Sequence, residues 1–166
     1  AAMVLGGCAG AAKEAPVPLS AEAILKDKDG KQVGVATLIQ TNEGTRIAVT
    51  GYRLAPGTRG LHIHEAGACQ GPDFASAGAH FNPGGKKHGK LNPDGAHAGD
   101  LPNLVIGAAG DGTIDVTTKA VTLSPGPMSL LGGKGTSIVI HEMADDERTD
   151  PAGNSGARIA CGAVTP

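Results

Sequence analysis

Short apolar runs, each closed by a turn signal, recur along this chain and constrain its fold more than any other feature. AEAILKD ends at the hairpin dipeptide Asp29-Gly30, and VGVATLIQ follows. Asn42, Glu43 and Gly44 turn the chain into TRIAVTGYRL, and the loop APGTRG leads into LHIHE. NLVIGAAG meets Asp111-Gly112 and continues as TIDVTTKAVTL; SPGPMSLLGGKG reads as a crossover, and TSIVIHE and ARIACGAV complete the series. Runs of this length, separated by Gly, Pro, Asn and Asp, are strands. With about eight strands and no amphipathic helix, the chain is expected to be all-β: an antiparallel Greek-key sandwich or flattened barrel of eight strands. Its 27 glycines and 11 prolines argue against a helical bundle. With no Trp, one Tyr and two Phe, the core must come from Val, Ile, Leu and Ala.

The length of 166 residues suits one domain, expected over 20–166. A net charge of −2 gives no sign of a nucleic-acid footprint. No stretch approaches the ~18 apolar residues of a membrane span. Residues 1–19 read differently. Leu5-Gly6-Gly7-Cys8 resembles the lipobox of bacterial lipoproteins, in which the cysteine is acylated, so the chain is expected to begin partway through such a signal. That predicts a lipid anchor at Cys8 and a place in the bacterial cell envelope; a free cysteine in a tail is the alternative. AGAAKEAPVPLS then serves as a tether. Of three cysteines this leaves Cys69 and Cys161 as a natural pair in an oxidising compartment.

GLHIHEAGAC places His62 and His64 on one face of a strand, with Leu61 and Ile63 on the other. Segments 66–102 and 143–156 do not read as strands, and loops this long in a compact domain are usually functional. The first carries His80, His88, His97 and Asp100, three imidazoles and a carboxylate that make a closed tetrahedral set suited to zinc. His141 ends TSIVIHE on the face of Ser137 and Val139, from which it can join His62 and His64. Three imidazoles without a thiolate suit copper. The two groups account for all six histidines.

GLHIHEAGAC, SAGAHFNPGGKKHG, HAGDLPNL, VIHEMADD and GNSGARIACGAV, in this order, resemble the copper–zinc superoxide dismutases of the bacterial envelope, over residues 20–164. The resemblance implies copper on His62, His64, His80 and His141, and zinc on His80, His88, His97 and Asp100, with His80 the shared bridge. It implies that Asp145 links His62 to His88, that Arg158 guides superoxide to copper, and that Cys69 and Cys161 form a disulfide. The implied reaction converts two superoxides and two protons to O₂ and hydrogen peroxide, with His80 as a proton carrier, in a monomer or a homodimer. Alternation along ARIACGAV puts Arg158 and Cys161 on opposite faces. One feature fits poorly: DDERTD, residues 145–150, is acidic beside an anionic substrate, leaving open whether Lys86, Lys87 or Lys134 assists Arg158. The competing readings are a domain that buffers or delivers copper without turnover, and a zinc-stabilised sandwich whose copper site stays unused.

Overall fold

The computed structural model describes residues 19–166; the expected lipidation site, Cys8, lies outside them. Among the described residues nine strands form: β1 (Ser20–Asp27), β2 (Gln32–Thr41), β3 (Gly44–Gly51), β4 (Gly57–Arg59), β5 (Leu61–His64), β6 (Leu104–Ile106), β7 (Gly112–Thr118), β8 (Ser137–His141) and β9 (Arg158–Ala163). One 3₁₀ turn spans Ala75–Ala77. Among the described residues no helix is long and apolar enough to cross a membrane.

Alternation shapes the first strands. Ala21, Ala23 and Leu25 of β1 point inward while Ser20, Glu22 and Ile24 point out. The β1–β2 hairpin closes on Asp27, whose Oδ1 accepts from the Asp29 and Lys31 amides, with Gly30 at φ +78°. Seven strands make one antiparallel sheet in the order β5-β8-β9-β1-β2-β3-β7, and β4 pairs with β6 in a separate ribbon. Leu25, Leu38, Ile47, Ile63, Leu104, Ile138 and Ile140 fill the core between them. A second cluster, Phe74, Ala77, Val139 and Cys161, packs beneath the loop that follows β5.

Four details depart from the sequence reading. Gly57–Arg59 was expected as loop but forms β4, because β6 offers it a pairing partner that its own composition does not announce. NLVIGAAG is a strand only over Leu104–Ile106. TIDVTTKAVTL leaves the sheet after Thr118, and its remainder is pinned by Gln40, whose Oε1 accepts from Thr122 Oγ1 and the Leu123 amide. Finally, Ile140 pairs with Ala160 while His141 pairs with Arg158, so β9 carries an extra residue at Ile159. This bulge re-aims Arg158. Arg158 therefore lies on the side of Cys161, where plain alternation puts them apart.

β5, β8 and β9 are neighbours, so the long loops after β5 and β8 meet on one wall of the sheet. The Cys69–Cys161 disulfide, with Cα atoms 5.5 Å apart, fastens the first loop to β9.

Candidate metal centre

The register of β5 against β8 brings His62 opposite Val139 and His64 opposite Ser137, while His141 ends β8 on the same face. All six histidines converge on that wall, and none is more than 9% exposed. Two donor sets emerge.

In the first, one donor atom each from His62, His64, His80 and His141 lies within 4.8 Å of the others. His62 Nδ1 and the Nε2 atoms of His64, His80 and His141 are buried and have no hydrogen-bond partner. An unpartnered buried polar atom costs about 1–3 kcal/mol. Four such atoms converging on one point are the signature of a metal site. The opposite nitrogens are mostly engaged: His62 Nε2 meets Asp145 Oδ2 at 2.8 Å, and His64 Nδ1 and His141 Nδ1 donate to Gly78 O at 2.9 Å and Gly156 O at 3.2 Å. Those bonds fix the tautomers that leave the inward nitrogens as acceptors. Burial pushes the imidazole pKa values down, to about 4 for His62, about 2 for His64 and about 3 for His141. The rings are neutral, the state in which they bind a metal.

In the second set, Asp100 Oδ1 stands 3.1 Å from His80 Nδ1, 3.1 Å from His88 Nδ1 and 3.3 Å from His97 Nδ1. His97 Nδ1 and His80 Nδ1 are 3.3 Å apart. Ligands about 2.0–2.1 Å from a tetrahedral zinc are separated by about 3.3–3.4 Å. These four separations are those of neighbouring ligands in a tetrahedral set. His62 is also close to His80, His88 and Asp100. Its Nε2, however, already faces Asp145, so His97 completes the set. Asp100 Oδ2 accepts from the Gly89 and His97 amides at 2.9 Å each, which leaves Oδ1 to face the three rings. His80 belongs to both sets through its two nitrogens.

Asp145 spans the two sets. Its Oδ2 meets His62 Nε2 and its Oδ1 meets His88 Nε2 at 3.0 Å. Burial alone would raise its pKa, but the bonds to His62, His88 and the Glu147 amide hold the carboxyl below the usual range. Two positions that the sequence reading passes over keep it there. Asn103 clamps the Asp145 backbone reciprocally, donating to its carbonyl at 2.9 Å and accepting from its amide at 2.8 Å. Gly153, at φ +61°, lets the loop pass so close that a Cβ there would stand 1.8 Å from Asp145 Oδ1. Neither leaves a local signal, because each acts on a partner distant in sequence or on space alone.

Arg158 lies beside the first set. Its Nη1 donates to Phe74 O at 2.7 Å and its Nη2 to Gly78 O at 2.6 Å, the carbonyl that also receives His64 Nδ1. It borders an open groove of about 790 Å³ with Pro72, Ala75 and Ala157. Hydrogen bonds tie the acidic run into the loop, while Asp146 and Asp150 stay exposed. Asp145 is used as described, and Asp146 accepts from the Arg148 and Thr149 amides, Thr149 Oγ1 and Asn154 Nδ2. Asp150 accepts from the His88 amide and pairs with Lys87 at 3.0 Å.

A curled antiparallel β domain with adjoining imidazole sets for two metals, joined by one histidine and tied by a disulfide, defines a class of two-metal redox proteins. Comparison with known proteins agrees. The family model described as copper/zinc superoxide dismutase (SODC) matches residues 32–164. Superoxide dismutase [Cu-Zn] 2 of Aquifex aeolicus is 47% identical over 148 residues, covering 88% of this chain and 86% of that protein. The superoxide dismutase-like protein YojM of Bacillus subtilis is 48% identical over 145 residues, covering 84% and 73%. The crystal structure of a SOD-like protein from Bacillus subtilis superposes with a TM-score of 0.83 at 44% identity, covering 87% of this chain and 97% of that one. The chain belongs to the copper/zinc superoxide dismutase family of oxidoreductases, whose cofactors are copper and zinc.

Proposed function

We propose that this chain dismutates superoxide at a copper held by His62, His64, His80 and His141, next to a zinc held by His80, His88, His97 and Asp100. The observation that carries this is the set of four buried, unpartnered imidazole nitrogens beside a tetrahedrally spaced N₃O set, with His80 common to both. Copper supplies one-electron chemistry, so that one superoxide is oxidised to O₂ and a second, with two protons, is reduced to hydrogen peroxide; zinc has no redox role.

The chain's own residues do the rest. Arg158 borders the groove and is held by Phe74 O and by Gly78 O, the carbonyl that also accepts from His64 Nδ1, so its permanent positive charge stands next to the first donor set and can draw a small anion toward it. His80 Nε2 is the atom placed to carry a proton between solvent and product. Asp145 sets the ring orientation of His62 and His88 together. Lys86 and Lys87 both border a groove with His80 and His97, apart from the one that Arg158 borders; Lys87 pairs with Asp150 there, so of these two lysines Lys86 is the better placed to draw an anion.

A location in the bacterial envelope, anchored through Cys8, belongs to the same reading; the lipobox-like Leu5-Gly6-Gly7-Cys8 and the Cys69–Cys161 disulfide support it. The copper-buffer alternative draws on the relative named only superoxide dismutase-like. The test compares superoxide decay with protein carrying both metals and with protein carrying zinc alone. Fast decay that requires copper supports dismutation. Equal decay in the two samples, with copper bound, moves the function to copper storage.

A further inference from the structure

Each histidine in the centre has two nitrogens, and eleven of the twelve are accounted for: eight face the donor sets or Asp145, two bond to Gly78 O and Gly156 O, and His80 Nε2 completes the first set. The exception is His97 Nε2. With Nδ1 turned to the zinc set, this outer nitrogen must carry the proton and needs an acceptor. Histidines that bind metals almost always donate that second N–H to a carboxylate, a carbonyl or water. The nearest carboxylate given by the structure is Asp150, whose Oδ1 lies 4.0 Å away.

Asp150 sits on the loop after β8, while His88 and His97 sit on the loop after β5. Its Oδ1 accepts from the His88 backbone amide at 2.8 Å, and its Oδ2 pairs with Lys87 Nζ at 3.0 Å. One carboxylate therefore bonds the backbone of one zinc-set histidine and the neighbouring Lys87, and stands 4.0 Å from the outer ring nitrogen of another. The second loop grips the first at neighbouring points as well: the Leu91 amide donates to Glu147 O at 3.0 Å, and Asn92 Nδ2 donates to Arg148 O.

We infer that Asp150 is a positioning residue of the zinc site, the outer carboxylate partner of His97, and that it controls how long zinc is retained. With a zinc held at Nδ1, the His97 Nε2–H would be a stronger donor, and Asp150 is the carboxylate placed to accept from it. The His88 amide and the Lys87 pair hold Asp150 in place. This inference rests on the zinc assignment proposed above, yet its test reads zinc rather than turnover.

The experiment measures zinc release to a chromogenic chelator from fully loaded wild type and from Asp150→Asn, Asp150→Ala and Lys87→Met, with the ¹⁵N shift of His97 Nε2 recorded in the zinc-loaded proteins. Asn keeps an acceptor for the His88 amide but removes the charge opposite His97. The inference predicts release about 10-fold faster in Asp150→Asn as well as in Asp150→Ala. It also predicts a shift change at His97 Nε2 with the His64 and His141 signals unmoved, and a smaller change in release for Lys87→Met. Wild-type release from Asp150→Asn with a wild-type His97 shift overturns it, and if Asp150→Ala alone is fast, Asp150 is only a backbone cap. Wild type that takes up no zinc would instead overturn the zinc assignment itself, so the two failures are distinguishable.

Discussion

Single residues decide whether this centre assembles. At Gly153 a Cβ would stand 1.8 Å from Asp145 Oδ1 and 2.7 Å from His88 Nε2, so Gly153→Ala must displace the carboxylate that aligns two rings. Its φ of +61° adds strain of about 1–2 kcal/mol for any residue with a side chain. The expected outcome is metal affinity lowered about 10–100-fold, measured by competition with a chelator; unchanged affinity would show that Asp145 does not hold the ligands. Arg158 predicts the opposite pattern. Arg158→Ala should leave copper and zinc content at wild-type levels while superoxide decay slows and loses most of its salt dependence. Loss of metal in that variant would reassign Arg158 to holding the loop. The residues of the two donor sets were legible in the sequence because His-x-His on a strand and a His/Asp-rich loop are local patterns. Asn103 and Gly153 were not, because their roles exist only where segments 42 and 8 residues away return to them.

At the scale of elements, hairpins with strong turn dipeptides were readable and irregular pairings were not. β1, β2 and β3 follow from alternation and from Asp29-Gly30 and Gly44. β4 depends on β6, and the Ile159 bulge depends on where β8 ends, neither of which a one-dimensional pattern carries. The bulge matters because it puts Arg158 on the same wall as the disulfide. Cys69 anchors the loop whose Phe74 and Gly78 carbonyls hold the guanidinium, and Phe74 packs against Cys161. Reducing the Cys69–Cys161 bond with the metals left in place should therefore slow superoxide decay while the copper absorption spectrum persists. A rate unaffected by reduction would mean that the loop holds Arg158 unaided. Losing a native disulfide from a small domain typically costs about 2–5 kcal/mol, so the reduced protein should also unfold at lower temperature.

For the whole molecule the net charge is −2, so attraction of an anionic substrate depends on local charge: Arg158, Lys28 and Arg53 line the groove together with Asp27, Asp29, Asp73 and Glu142. Buried imidazoles also couple the fold to pH. In the metal-free protein His62, His64 and His141 titrate near 4, 2 and 3, against ~6.5 in an unfolded chain. Below about pH 6.5 the unfolded chain takes up protons that the folded one excludes. Stability is therefore highest above that pH and falls as acid is added, down toward the folded values. Thermal unfolding of metal-free protein should show a melting temperature that drops between pH 7 and pH 5; a flat profile would mean that the rings take up protons in the fold as readily as in the unfolded chain.

In the proposed centre one imidazole, His80, joins both metals. This bridge is tested most directly by loading Cu(II) into the first set and Co(II) into the second and recording the copper electron paramagnetic resonance signal. A shared imidazole couples the two spins, so the signal should largely disappear, and return when zinc replaces cobalt. A full-strength copper signal with cobalt bound would show two independent sites, contradicting the bridge.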